Sequence, residues 1–174
     1  MWTLDILRVC SGIILFNALL SYFFTSTTLW RYNDTKYVDW NYLSYKLKGS
    51  PQINYTIESL FNEKERYLVS INRTVFDVTL NKEMYDPSSI TARYSIFKGK
   101  DCTRIFINGC FHDLNQCTWD LRNTGYDNDY IENTITHWLD YYNNHPLYWK
   151  VGKLEVEENT PIPEKCMNGL MYPS

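Results

Sequence analysis

The chain has 174 residues, 21% of them charged and 17% aromatic, with a formal net charge of −3. That length holds one domain with a real core plus a short extra segment, and excludes two ordinary domains besides. No basic stripe concentrates the positive charge, so the footprint of a nucleic-acid binder is missing and no nucleic acid is expected as a partner.

Between Val9 and Leu29 no residue is charged. As a helix this run is roughly 30 Å long, the thickness of a bilayer's hydrocarbon core. Residues 1–29 are read as an N-terminal transmembrane anchor; a cleaved signal peptide competes, but the apolar run exceeds a usual signal core. Ser11, Gly12, Asn17 and Ser21 interrupt it with small or polar side chains, which let a second helix approach or supply hydrogen bonds in lipid. Asn17 is the sharpest case, because a side-chain amide near mid-membrane is costly unless paired.

Residues 30–54 form a juxtamembrane segment dense in aromatics: Trp30, Tyr32, Tyr37, Trp40, Tyr42 and Tyr45. Such density suits the headgroup boundary or contact with another protein. Asn17, Trp30 and Trp40 are therefore candidate contacts to a larger integral membrane protein, with the membrane itself the other partner.

The domain proper is expected over 55–156. Thr56 is placed to cap a short helix through Ile57, Glu58 and Leu60. Two β-rich runs, Tyr67 to Ile71 and Val75 to Val78, flank Asn72-Arg73-Thr74 in the pattern of a hairpin. Ile131, Ile135, Trp138, Leu139 and Tyr142 recur at helical spacing, with Asp129 available as a cap. Val151 to Val156 reads as a late strand, and Pro161 and Pro163 mark an irregular tail over 157–174.

Sidedness draws on opposing signals. Only Arg8 and the amino terminus precede the apolar run, while Arg31, Lys36, Lys46 and Lys48 follow it, a bias toward a cytosolic body. Against this, three N-glycosylation patterns follow the run, at Asn33, Asn54 and Asn72. Cys102, Cys110, Cys117 and Cys166 make an even set outside it, with Cys10 alone inside, which suits an oxidising compartment and at least one disulfide whose pairing stays open. The domain is expected in the lumen of the endoplasmic reticulum or of a later secretory membrane.

Three stretches carry a resemblance: INRTVFDVT from Ile71, YSIFKGKDCTR from Tyr94 and VGKL from Val151. Together they resemble the membrane-associated progesterone receptor family, whose domain is cytochrome b5-like, over about Tyr55 to Leu154 with gaps. The resemblance implies an α+β fold, here a cytochrome b5-like domain preceded by one N-terminal transmembrane helix. It also implies a pocket for haem or another apolar ligand. The tyrosine matching Tyr94 can ligate haem iron in the family, and Tyr85 and Tyr148 match positions that help.

The chain departs from the family pattern in two places. The loop Asp86 to Arg93 is longer and lacks glycine, and Leu147 stands where the family often has Lys. The two-histidine haem turn of cytochrome b5 itself is absent too, since His145-Pro146 has no following glycines. No bound cofactor is expected, haem being the alternative. No metal-ligand spacing, nucleophile elbow or phosphate loop occurs, and Asp101 reads as a helix cap, so no enzyme is expected. The expected role is a non-catalytic accessory subunit of a membrane complex; the alternative is a haem- or sterol-like-ligand-binding protein of the family type.

Overall fold

The computed structural model describes residues 2–32, 35–49, 53–157 and 160–166; the glycosylation candidate Asn33 lies outside them. The first helix, α1, covers Trp2–Thr25 and is long and apolar enough to cross a membrane. It ends at Thr25 rather than continuing to Leu29. The cause is the hydroxyl run: Ser21 Oγ donates to the Thr27 carbonyl at 2.6 Å and accepts from the Trp30 N–H at 2.6 Å. Side chains of this kind offer the backbone an alternative to the next helical turn, and the chain folds back at Ser26, whose φ is 57°.

Within 30–54 a helix α2 forms over Trp40–Lys48, its first turn capped by Asp39, whose side chain accepts from the Tyr42 N–H. Strand β1 follows over Ile53–Thr56. The helix α3, Ile57–Phe61, starts where Thr56 was placed to cap it, with Ser59 returning the bond to complete a capping box. The hairpin appears as β2, Leu68–Ile71, and β3, Thr74–Asp77. After it come a short α4 (Lys82–Tyr85), α5 (Thr103–Asn108), α6 (Asn128–Asn144) and the last strand β4 (Trp149–Glu155). The side chain that caps α6 belongs to Asp127, accepting from the Tyr130 N–H at 2.8 Å, and not to Asp129.

The four strands are ordered β1-β4-β3-β2. The β1–β4 pair is parallel and the other two pairs are antiparallel. Gly152 lies where β1 approaches most closely, since a Cβ there would collide with the Ile53 carbonyl. Side chains alternate across the sheet. Val69, Ile71 and Phe76 join Ile105, Tyr142 and Tyr148 on one face, while Leu68, Val75, Trp149 and Val151 join Tyr55 and Leu60 on the other. Tyr42 and Tyr45 of α2 pack on this second cluster, so both faces are covered and β2 is buried throughout.

Candidate binding site

Tyr85, Tyr94 and Tyr148, far apart in sequence, converge on the first face. The Tyr85 ring centroid lies 5.9 Å from that of Tyr94 and 6.0 Å from that of Tyr148. Tyr85 ends α4 and Tyr148 immediately precedes β4, so the sheet and α6 hold both inside. A chain of phenols closes the interior. Asn81 Nδ2 donates to the Tyr148 hydroxyl at 2.6 Å, the Tyr148 ring meets that of Tyr85 edge-on, and the Tyr85 and Tyr142 hydroxyls lie 2.8 Å apart. Burial, reinforced for Tyr85 by its phenol neighbours, pushes Tyr85 and Tyr142 well above the ordinary phenol range, and burial raises Tyr148 as well.

Tyr94 behaves differently. Its ring stacks on Phe97 at 5.8 Å and its side is 38% exposed. Its backbone N–H donates to the Met84 carbonyl at 2.9 Å, which ties the long loop to α4. Among the described residues its hydroxyl has no hydrogen-bond partner. Around it, half-exposed Phe111 and Tyr141 extend an aromatic surface that continues inward through Phe97, Phe106 and Trp138.

Ligation of haem iron by Tyr94 requires a phenolate, and a phenolate needs donors or positive charge beside it. Tyr85 pairs its hydroxyl with Tyr142 and Tyr148 with Asn81, and no hydrogen bond to Tyr94 comes from them. Leu147 supplies no charge. These residues do not fit a phenolate-ligated haem. They leave the Tyr94 hydroxyl able to exchange a hydrogen bond with an uncharged ligand lying on the aromatic surface.

The rest of the motif that begins at Tyr94 is structural. Asp101 is buried and its carboxylate accepts from Ser70 Oγ at 2.6 Å, the Arg73 N–H at 2.9 Å, the Thr103 N–H at 3.0 Å and the Thr103 hydroxyl. It thus clamps the hairpin turn, where Asn72 and Arg73 both take left-handed backbone angles, to the start of α5. The N-cap position itself is Cys102, without a side-chain cap, so Asp101 acts from one residue before it. Burial raises the Asp101 carboxyl above its usual range despite these donors.

Arg104 is fully buried and donates to Gln116 Oε1 at 2.8 Å and to the carbonyls of Asp120, Arg122, Asn123 and Glu164 at 2.6 to 3.1 Å. It gathers the 114–124 loops and the tail into one lobe. Two disulfides seal the same lobe, Cys102–Cys117 and Cys110–Cys166; Cys10 is free and exposed. No sequence signal marked Arg104 as buried, because arginines are almost never fully inside unless paired.

The remaining candidates scatter. Asn72 sits exposed at the hairpin tip, and Asn54 on β1 donates from its amide to Glu155 at 2.7 Å. Asn17 and Trp30 meet each other: the indole N–H donates to Asn17 Oδ1 at 2.9 Å. That bond meets the need of the amide oxygen. Trp40 stands apart on α2. A cleft of about 690 Å³ lies not at the tyrosines but between α2 and the second sheet face, lined by Asp39, Tyr45, Lys48, Arg66, Asp77 and Trp149 among others. Its lining mixes both charge signs, and it lies away from the aromatic surface of Tyr94.

The domain is an α+β unit, and two solved structures are similar to part of the chain. One is an Arabidopsis protein described as a candidate steroid-binding protein, 25% identical, covering 60% of this chain and 99% of its own, with a TM-score of 0.47. Another is a hypothetical Arabidopsis thaliana protein described as having a cytochrome b5 like fold, 26% identical, covering 59% of this chain and 91% of its own, with a TM-score of 0.44. No protein-family description and no curated relative matches the chain.

Proposed function

We propose that this protein is a membrane-anchored, non-catalytic binding protein of the membrane-associated progesterone receptor type. In this reading the aromatic surface around Tyr94 holds a flat, neutral, sterol-like ligand. The carrying observation is the half-exposed Tyr94 hydroxyl, unpartnered among the described residues, at the rim of a phenol cluster whose other hydroxyls are hydrogen-bonded within the domain. The two disulfides support a domain on the lumenal side of a secretory-pathway membrane, since such bonds persist in oxidising compartments. The accessory-subunit reading draws less from Asn17, whose amide oxygen already accepts from the Trp30 indole.

The test is titration of the detergent-solubilised full chain with a fluorescent sterol. Saturable binding is expected, and Tyr94→Phe, which keeps the ring and removes the hydroxyl, should weaken it by about 1 kcal/mol, roughly fivefold. Absence of saturable binding overturns the reading. A stoichiometric Soret band lost in Tyr94→Phe would replace the sterol-like ligand with haem.

A further inference from the structure

Helix α2 has two apolar faces, and the domain covers only one. Tyr42 and Tyr45 turn inward; the Tyr42 ring lies 5.8 Å from Trp149. On the other side Trp40, Leu43 and Leu47 follow one another at i, i+3 and i+7, at 75%, 36% and 82% exposure. Val38, just before the helix, is exposed as well. Lys46 and Lys48 stand on its last turn.

What lies opposite this face follows from the chain on either side. Trp30 is bonded to Asn17 of α1. Lys36 is bonded into the domain, its N–H on the Pro146 carbonyl at 2.8 Å and its ammonium on the Asn143 and Tyr148 carbonyls at 3.1 and 2.8 Å. Only residues 31–35 join the two points, and fully extended they span at most roughly 20 Å. The domain is therefore tethered against whatever α1 is embedded in. A short helix with an apolar stripe led by Trp and flanked by Lys is the chemistry of a headgroup layer.

We propose that α2 is an interfacial helix, with Trp40, Leu43 and Leu47 inserted at the acyl boundary of the membrane that α1 spans, fixing the domain in one orientation on the bilayer. The inference rests on α1 being a membrane span, which the test examines separately. The full chain, with Cys10→Ser to leave a single reactive thiol, carries an environment-sensitive fluorophore at Leu43→Cys, Leu47→Cys, Asn41→Cys, Lys48→Cys or Leu15→Cys in turn. Each is reconstituted in phosphatidylcholine vesicles containing lipid with a nitroxide near the headgroup end of the acyl chain.

Labels at positions 43 and 47 should be quenched several-fold more than those at 41 and 48, which flank the cleft side, and Trp40→Glu should reduce that quenching. Equal quenching at 41, 43, 47 and 48, with position 15 shielded from water, overturns the interfacial placement while keeping the anchor. A position 15 label that stays in water overturns both.

Discussion

The Lys36 ammonium donates to the Tyr148 carbonyl at 2.8 Å, across 112 positions of sequence. It ties the segment after α1 to the turn that follows α6. Burial, and secondarily the charge of Lys46, lowers its pKa below the usual lysine range. Replacing Lys36 with Ala leaves the Asn143 and Tyr148 carbonyls without this donor. Unfolding by denaturant should show a loss of about 1 to 3 kcal/mol, and limited proteolysis between Tyr32 and Trp40 should accelerate.

The same contact sets a pH dependence. His145 stacks on Tyr148 at 3.7 Å, and burial, then the Lys36 charge, lowers it from its ordinary 6.5. The unfolded chain therefore binds a proton at His145 that the folded one resists. Stability is full above 6.5 and falls as pH drops through the lowered folded value. Thermal melts between about pH 7.5 and 5.5 should show this decline, shallower in His145→Gln and in Lys36→Met.

The disulfides separate by loop length. Cys110–Cys166 links residues 56 apart and Cys102–Cys117 residues 15 apart. Loop-closure entropy assigns about 4 kcal/mol to the first and about 3 to the second. Cys166→Ser with Cys110→Ser should destabilise the 160–166 tail most, read as faster amide exchange there. Alkylation of all four thiols without reduction, seen by mass spectrometry, would contradict both bonds.

Which of these features the sequence displayed depends on range. The β2–β3 hairpin and α6 were legible because β-rich runs around a turn and the 3.6-residue period are local, and Thr56 because a cap needs only its own first turn. Helix α2 was not, since its two apolar faces leave no single stripe to count. Strand β1 is four residues long and gains its identity only by pairing with β4 about a hundred residues later. The choice between Asp127 and Asp129 turns on side-chain geometry, and four cysteines allow three connectivities with nothing local to choose among them. At the candidate site the resemblance named Tyr85, Tyr94 and Tyr148, but not that Tyr142 and Asn81 would occupy two of the three hydroxyls.

Arg104 supports the lobe through five acceptors, which a lysine cannot span, because its donors radiate from one atom. Arg104→Lys should therefore behave as a loss, stranding several buried carbonyls, with destabilisation on the order of 3 kcal/mol. Chemical denaturation checks the magnitude. An effect below that of Lys36→Ala would mean that the two disulfides and the Gln116, Arg122 and Asn123 hydrogen bonds to the tail hold the lobe without it.

Glycosylation tests the side of the membrane. Asn72 projects from the hairpin tip with a φ of 46°, a conformation Asn tolerates better than most side chains. Asn72→Gln would thus remove the acceptor and strain the turn at once. Thr74→Ala removes the same acceptor pattern while leaving Asn72 in place, so the two variants separate glycan loss from turn strain. Asn54 donates one amide hydrogen to Glu155, and an attached sugar leaves one hydrogen on that nitrogen, so the bond is compatible with modification. In protein made in a secretory cell, endoglycosidase should lower the apparent mass, and Thr74→Ala should remove one step of that shift without changing the melting temperature much. Full-length protein insensitive to the enzyme and cleaved by protease from the cytosolic side would put the domain on the opposite face, and the two disulfides would then have to form in a reducing compartment.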